Sequence, residues 1–236
     1  LLFDRLVRKG AVSRQVEEHF EHWGCESATF RMNVALDKLP NFTSLPGRGD
    51  HLTAGIIMAP SMDYMDRAHA EAALNGWSSR PVIEMLIPST LDPSLAPKGK
   101  HVASLFCQHF RYKLPDGRSW DDEREQAADT IIATVDSHAP GFAKSVIARQ
   151  IHSPLDLERR FGLVGGDIFH GKMGSDQLFS ARPMIGASNY RMPLPGLYLC
   201  VPRPHPGGGV TGAPGHNVAQ SILADVKPGL FGRRVA

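Results

Sequence analysis

The fold is decided by the stretch Pro206-Gly207-Gly208-Gly209-Val210-Thr211-Gly212. An apolar run at residues 197–201 precedes it and predicts a buried strand, and residues 218–226 predict a helix after it. Glycine permits positive φ and a close approach of the backbone to a ligand, while the start of a helix offers N–H groups and a partial positive charge. Strand, glycine-rich turn and helix in this order suit an electron-rich, planar or anionic ligand. They equally suit a surface loop that caps an ordinary helix, and both interpretations stay open at this point.

Four segments of the sequence resemble the phytoene desaturase-like FAD-dependent oxidoreductases, and one branch of that family in particular. They are LPNFTSLPG (39–47), SRPVIEMLIPSTLDPSLAPKGKHV (79–102), LVGGDIFHGKMGSDQLFSARP (163–183) and the glycine-rich turn (206–212), in the same order as in the family. The resemblance covers nearly the whole chain, and four ordered matches are more specific than one glycine loop. Family members end with a strand, a Pro-Gly-Gly-Gly-Val-x-Gly turn and a helix directed at the flavin ring, so the resemblance implies FAD as the cofactor.

Composition and charge narrow the class of protein. The 236 residues are 42% hydrophobic and 21% charged, which is typical of a soluble globular chain. With 26 basic and 24 acidic residues the net charge is +2, so there is no electrostatic case for binding nucleic acid. Three widely spaced cysteines favour a reducing compartment, and we expect the cytoplasm, or the mitochondrial matrix if the chain is eukaryotic. No apolar run approaches the roughly 18 residues of a transmembrane segment, and no signal peptide is recognisable.

Periodicity, caps and breakers predict an irregular mixture of helices and strands. The predicted helices are residues 13–23, 61–75, 119–137, 153–161 and 218–226. The predicted strands before the turn are 27–36, 52–59, 82–87, 101–112 and 142–151, the last of which also fits a helix. Ser119 and Asp122 have capping-box spacing, and Ser153 precedes a proline at the first helical position. Because the elements do not alternate regularly, we expect an α+β fold with a mixed or largely antiparallel sheet flanked by helices.

The resemblance implies a division of the chain into two domains. Residues 1–195 correspond to a substrate-binding domain, which the family builds on a mixed β-sheet. Residues 196–236 correspond to the C-terminal strand and helix of an FAD-binding domain. The N-terminal Gly-x-Gly-x-x-Gly unit that holds the FAD pyrophosphate is absent from the sequence. Because the first residue is also Leu1 and not methionine, we expect a fragment or a processed product.

The stretch 163–195 has little periodicity and several glycines, and structureless runs of this length are usually functional or disordered. The resemblance places it beside the flavin, facing the substrate. Its substrate-side candidates are Gly166, Asp167, Gln177 and Arg182. His170 is the candidate catalytic residue, because an imidazole can position a substrate or move a proton near neutral pH. The alternative is that Asp167 makes a turn and that His170 packs or meets solvent.

The cofactor-binding candidates lie in and just before the glycine-rich turn. Backbone N–H groups of the turn and the start of the following helix would face the N1/C2-carbonyl side of the flavin ring, where negative charge develops on reduction. Family members carry a Gly-x-Gly run where this chain has Val201-Pro202-Arg203-Pro204. Either Arg203 compensates by contacting a phosphate directly, or the backbone no longer comes close to the ribityl and phosphate region of the flavin. The residues assigned to FAD binding are Arg203, Gly207, Gly208, Gly209, Val210, Thr211 and Gly212.

The function implied by the resemblance is FAD-dependent oxidation or desaturation of an apolar or small organic substrate. It requires an N-terminal domain or a partner chain that supplies the dinucleotide fold. The alternative is a non-catalytic remnant or an interaction subunit that kept the substrate-domain fold without binding flavin. No metal site is expected, because the histidine pairs His19/His22 and His205/His216 have no Cys or carboxylate set at zinc spacing.

Overall fold

The computed structural model describes residues 2–25 and 29–226, apart from the side chain of Asp4. The chain divides into two compact units: the sheet unit is Ala28–Gly166, and the terminal unit combines Leu1–Ser27 with Asp167–Ala236. One β-sheet and several helices give the α+β fold that the sequence predicts. The predicted boundary between residues 195 and 196 lies inside the terminal unit. The division into a substrate domain and an FAD domain therefore stays a prediction.

The sheet unit is built around five strands. They are β1 (Phe30–Leu36), β2 (Ile56–Met58), β3 (Trp77–Leu86), β4 (His101–Phe110) and β5 (Val146–His152). The strands lie in the order β2-β3-β4-β1-β5, and every ladder is antiparallel, as in the second of the predicted alternatives. β1 alternates as a half-buried strand does, with Phe30, Met32, Val34 and Leu36 on its buried face.

Six α-helices occur in the described residues. They are α1 (Arg14–Glu21), α2 (Met62–Asn75), α3 (Trp120–His138), α4 (Phe142–Ser145), α5 (Pro154–Phe161) and α6 (Ala213–Val226). Ser61, Ser119 and Ser153 cap their helices as predicted, because each side chain accepts a backbone N–H of the first turn. Ser13 occupies the N-cap of α1 without such a bond. A short π-helix at Leu2–Leu6 precedes α1.

The main core lies between the sheet and α3. Ile131 and Val135 of α3 are fully buried in the same cluster as Leu105 of β4. Trp120, the first residue of α3, packs its ring 5.8 Å from that of Phe30 on β1. Each fully buried side chain of this size contributes about 1.5–3 kcal/mol, so burial in this cluster is a large favourable term in the folding of the sheet unit.

Two predicted strands are partly wrong. The first four residues of the predicted strand 142–151 form the short helix α4, and β5 begins only at Val146. The Asp136 carboxylate accepts the N–H groups of Gly141 and Ala143, which favours a helical turn there. In the predicted strand 52–59 only β2 is extended, because Asp50–Thr53 form a 3-10 helix.

The predicted buried strand at residues 197–201 is wrong. Only one isolated bridge, between Arg191 and Tyr198, occurs there. The segment folds back on the residues just before it, and the Leu199 N–H donates to Tyr190 O at 3.0 Å. Leu199 packs into the small core of the terminal unit together with Phe3. Core packing, and not a ladder with a neighbouring strand, therefore explains why this run is apolar.

The last helix is longer than predicted. α6 begins at Ala213, five residues before the predicted start at position 218. Proline suits the first turn of a helix because its missing N–H would have no partner there. Pro214 therefore starts α6 instead of delaying it, and the glycine-rich turn leads directly into the helix.

Candidate functional site

The glycine-rich turn at residues 206–212 has a backbone conformation that few side chains tolerate. Gly207, Gly209 and Gly212 have φ values of 95°, 124° and 73°. Val210 also has a positive φ, 56°, which is strained for a β-branched residue, and its side chain is fully exposed. Gly209 and Thr211 are exposed as well. The tip of the turn is thus open immediately before α6 begins.

Glycine serves two purposes in this turn. A Cβ atom at Gly208 would lie 3.0 Å from Phe169 Cδ1, so glycine lets the turn approach that ring closely. Gly207 is buried, and its N–H donates to Pro204 O at 2.8 Å. At Gly212 nothing lies within 4 Å of the place that a Cβ would take, so only the backbone conformation requires glycine there.

Arg182 holds the loop that carries the site residues. It is fully buried. Its guanidinium donates to the backbone oxygens of Phe169, Gly171, Lys172, Gln177 and Pro202, at distances from 2.8 to 3.4 Å. Its Nε is buried without a hydrogen-bond partner among the described residues. Burial lowers the pKa of Arg182, and the Asp167 carboxylate opposes that shift. The buried Arg182 side chain therefore links separate parts of the loop backbone by hydrogen bonds.

Arg203 lies against two aromatic rings. Its Cζ is 5.5 Å from the ring centroid of Phe20 and 5.4 Å from that of Trp23, within the range of cation–π attraction. Its Nε–H donates to His170 O at 3.3 Å. The Trp23 indole N–H donates to the same oxygen at 3.1 Å. Trp23, which sequence reasoning missed, thus shares with Arg203 the task of holding the backbone of His170.

His170 is half-buried, with a backbone φ of 58°. Burial lowers the pKa of its imidazole, the positive charge of Arg203 lowers it further, and the Asp167 carboxylate acts in the opposite direction. Burial and Arg203 thus favour the neutral form of the ring. Asp167 is buried, and its Oδ1 accepts the Phe169 N–H at 2.8 Å. This is the turn that the alternative interpretation of Asp167 predicts.

The other two substrate-side candidates make backbone contacts. Gln177 is buried; its amide oxygen accepts the Gly24 N–H at 2.8 Å, and its amide nitrogen donates to Gly24 O at 3.0 Å. Gly166 belongs to the sheet unit, where a Cβ would lie 2.5 Å from Pro154 O. The terminal unit contains the remaining predicted site residues, namely Asp167, His170, Gln177, Arg182, Arg203 and the turn.

The start of α6 offers fewer donors than the sequence suggests. Thr211 Oγ1 already accepts the Ala213 N–H at 3.2 Å, and Pro214 has no N–H. The next N–H of the first turn belongs to Gly215, which is an exposed residue. An electron-rich group at this end of α6 would therefore meet the Gly215 N–H and the positive end of the helix dipole.

Four further side chains that sequence reasoning missed connect α6 to the chain that precedes it. The Tyr190 hydroxyl donates to His205 O at 2.6 Å and accepts the Asn217 amide at 2.7 Å. Arg191 pairs with the Asp225 carboxylate at 2.7 Å and is the main reason that the pKa of Asp225 falls to about 2. The partners are between 15 and 34 residues apart, so no local sequence signal marks them.

The histidines of α1 and its cap contact backbone oxygens. His19 Nε2 lies 2.9 Å from Pro183 O, and His22 Nδ1 lies 2.8 Å from Glu18 O. Within residues 2–25 and 29–226, no group of three or more His, Cys, Asp or Glu side chains is arranged to hold a metal ion. In that same part of the chain, no helix combines the length and apolar character needed to cross a membrane.

Comparison with known proteins tests the predicted resemblance. No family model matches the sequence. Over 209 residues the chain is 46% identical to pyridine nucleotide-disulfide oxidoreductase domain-containing protein 2 of Rattus norvegicus, which covers 86% of this chain and 36% of that protein. The predicted resemblance is confirmed. The chain is similar to a C-terminal oxidoreductase-like region and spans 36% of the length of this relative.

More distant relatives agree with that result. The 4,4'-diapophytoene desaturase (4,4'-diaponeurosporene-forming) of Staphylococcus aureus is 28% identical over 156 residues, or 61% of this chain and 29% of that protein. A crystal structure of an oxidoreductase from Methanosarcina mazei matches 93% of this chain and 39% of its own, with a TM-score of 0.50 and 15% identity, which shows a shared fold alone. The sequence relatives indicate an oxidoreductase or desaturase family.

Proposed function

We propose that this chain is the C-terminal part of an FAD-dependent oxidoreductase or desaturase that acts on an apolar or small organic substrate. The observation that carries the proposal is the turn at residues 206–212, whose positive-φ backbone is exposed at its tip and leads directly into α6. Such a backbone suits the edge of a planar, electron-rich ring. When FAD is bound, it supplies the redox chemistry by accepting electrons from the substrate.

In this proposal the turn and α6 form the ring-side wall of the cofactor site. Gly209, Val210 and Thr211 offer backbone at the open tip. The Gly215 N–H and the dipole of α6 favour negative charge at the same end. Arg203 is the candidate for a contact with phosphate, since a guanidinium pairs well with phosphate oxygens.

We assign His170 the role of positioning the substrate or moving a proton. Its lowered pKa favours the neutral form of the imidazole, so the ring can accept a proton. Its backbone is held by the hydrogen bonds that Trp23 and Arg203 donate to its carbonyl oxygen. The loop that begins at Gly166 and Asp167 is the proposed substrate side, and the buried Gln177 and Arg182 side chains act there by fixing its backbone.

A second candidate function is a non-catalytic remnant or an interaction subunit that does not bind flavin. The observation in its favour is the setting of Arg203, which packs on Phe20 and Trp23 in a place where the family has glycine. Pro202 and Pro204 beside it offer no N–H donors. In this interpretation Arg203 is a structural residue of the loop, and the space near the ribityl and phosphate groups is closed.

The pyrophosphate of FAD would be held by an N-terminal domain or a partner chain, so we expect this chain alone to bind FAD weakly or not at all. The test is a calorimetric titration of FAD into the chain alone and into its fusion with a matching N-terminal dinucleotide-binding domain. We expect tight binding and flavin absorbance for the fusion only. Tight binding by the isolated chain would show that the cofactor site is assigned to the wrong residues.

Two glycine variants of the fusion locate the ring. Gly209→Val covers the exposed backbone of the turn, and we expect the dissociation constant of FAD to rise about tenfold, or about 1.4 kcal/mol. Gly186→Val is the matched control, because Gly186 has a positive φ of 88° with nothing within 4 Å of a Cβ but lies outside the turn. Equal effects of the two substitutions would contradict the proposed placement.

A third variant separates the two candidate functions. It combines Val201→Gly and Arg203→Gly with alanine in place of Pro202 and Pro204, which restores the pattern of the family. If the native segment closes the site, the restored fusion binds FAD more tightly, and the remnant interpretation gains its support. Equal or weaker binding shows that the native segment is a working variant of the motif.

A further inference from the structure

A cavity of about 340 Å³ lies in the sheet unit and is formed by residues that the proposed function does not use. Its lining includes Phe42, Leu45, Met58 and Ala59, together with His51 and His138. None of the described residues that line it is Lys, Arg, Asp or Glu. Ligand sites in proteins are commonly concave, mainly apolar spaces of this size with a few polar groups, and this one suits a neutral molecule.

The imidazole of His51 is the polar group on which the argument about this cavity depends. Its Nε2 is buried without a hydrogen-bond partner among the described residues. Such an atom is rare in folded proteins, because it has lost its water without gaining a replacement. The next residue, Leu52, is buried, and its carbonyl oxygen accepts the Thr90 hydroxyl at 3.1 Å. The backbone that carries His51 is therefore fixed, while the residue as a whole is only partly buried, which leaves its ring room to turn.

The other walls are fixed as well. Segment 39–47, one of the four that carry the family resemblance, contributes Phe42 and Leu45. Thr43 fastens this segment to the end of α3, because its N–H donates to His138 O at 2.9 Å and its hydroxyl donates to the same oxygen at 3.2 Å. Met58 belongs to β2, which pairs with β3. The cavity is thus bounded by elements that are held in place without a ligand.

We propose that this cavity binds a small, neutral, apolar molecule that carries one hydroxyl group, and that the hydroxyl hydrogen-bonds to His51 Nε2. A hydroxyl both donates and accepts, so it satisfies Nε2 in either tautomer of the ring. Because Nε2 is covered, binding includes a turn of the His51 ring toward the ligand. A cavity of about 150 Å³ holds benzene, so the larger space here accepts a molecule of one ring with a side chain.

The proposal does not rest on flavin chemistry, and it is tested on the chain without FAD. The probes are 2-phenylethanol and ethylbenzene, which differ by the hydroxyl group. The readouts are the calorimetric dissociation constant and the methyl NMR signal of Met58, assigned with Met58→Leu. We expect both probes to shift that signal and 2-phenylethanol to bind about tenfold more tightly, the gain of one hydrogen bond to a previously unpaired group.

Two variants separate the parts of the proposal. His51→Phe keeps a ring but removes Nε2, so the preference for 2-phenylethanol should disappear while ethylbenzene still binds. Ala59→Leu fills the cavity, so both probes should lose affinity. His216→Phe, on the exposed surface of α6, is the matched control and should change neither value.

The unaltered chain alone can overturn the inference, whether or not the variants fold. No shift of the Met58 signal with either probe would show that the cavity is not a ligand site. Equal affinity for the two probes, or a preference that survives His51→Phe, would remove His51 from the site.

Discussion

Replacing Arg182 tests whether one buried guanidinium holds the loop and the turn together. Its side chain donates to five backbone oxygens, and a hydrogen bond to a charged group contributes about 1.5–3 kcal/mol. The five contributions do not add, and removing the cation also removes the cost of burying it. Buried backbone oxygens left without a partner cost about 1–3 kcal/mol each, so losing two or more of them costs about 3–5 kcal/mol. We expect that loss for Arg182→Ala, and about half of it for Arg182→Lys, which lacks the planar fork.

The assay is hydrogen–deuterium exchange read by mass spectrometry. A local loss of about 3 kcal/mol corresponds to about a hundredfold faster exchange, and we expect it in peptides that cover residues 169–182, with the sheet unit unchanged. The control is Arg159→Ala, which breaks an exposed ion pair with Asp121 in the sheet unit and should have no measurable effect. If Arg182→Ala leaves exchange of residues 169–182 at the wild-type rate, Arg182 does not hold this loop.

Two further predictions concern the sheet unit. Gly166→Ala should destabilise it by about 2 kcal/mol more than Gly162→Ala in urea unfolding. Both glycines have φ near 65° (63° and 69°), but only at Gly166 would a Cβ press against Pro154 O. Equal losses would mean that the backbone there shifts freely. Burial, and then the charge of His69, lower the pKa of His109, so the unfolded chain takes up a proton first as pH falls through about 6.5. Stability should therefore be complete above that pH and decrease below it, and His109→Gln should reduce the decrease; parallel stability curves for the two proteins between pH 7.5 and 5 would exclude His109 as a cause.

Local chemistry made much of the fold predictable. Ser153 forms the capping box of α5 with Asp156, and Gly162 ends that helix in a left-handed conformation, both within one turn of the residues that signal them. The predicted capping box of Ser119 and Asp122 is only partly correct, because the Ser119 hydroxyl accepts the Asp121 N–H. Side-chain bonds within a helix turn have several near-equal partners, and their exact pairing depends on packing that the sequence does not display.

The sequence proposes a set of candidate site residues but does not predict their arrangement. The turn and His170 follow from motif and resemblance. The Trp23 indole, in contrast, reaches His170 O across 147 residues of sequence, and no periodicity reports such a contact. The same holds for Arg182, whose partners are backbone oxygens and therefore leave no trace in side-chain identity. The buried strand predicted at 197–201 failed for a related reason: an apolar run reports burial, and not the presence of a neighbouring strand.

The division of the terminal unit between the two ends of the described chain has a consequence for synthesis on the ribosome. α1 has eight residues and is too short to be stable alone, and Gly24 finds its partner Gln177 only 153 residues later. At about 5–20 residues per second, the interval between the synthesis of Gly24 and that of Gln177 is roughly 8–30 seconds. All of the sheet unit is synthesised within this interval. Folding of the sheet unit first fixes β1 and Gly166 relative to each other and shortens the loop that must close. Throughout that interval Trp23 therefore lacks the partner of its indole N–H within this chain, because the carbonyl oxygen of His170 is made 147 residues later.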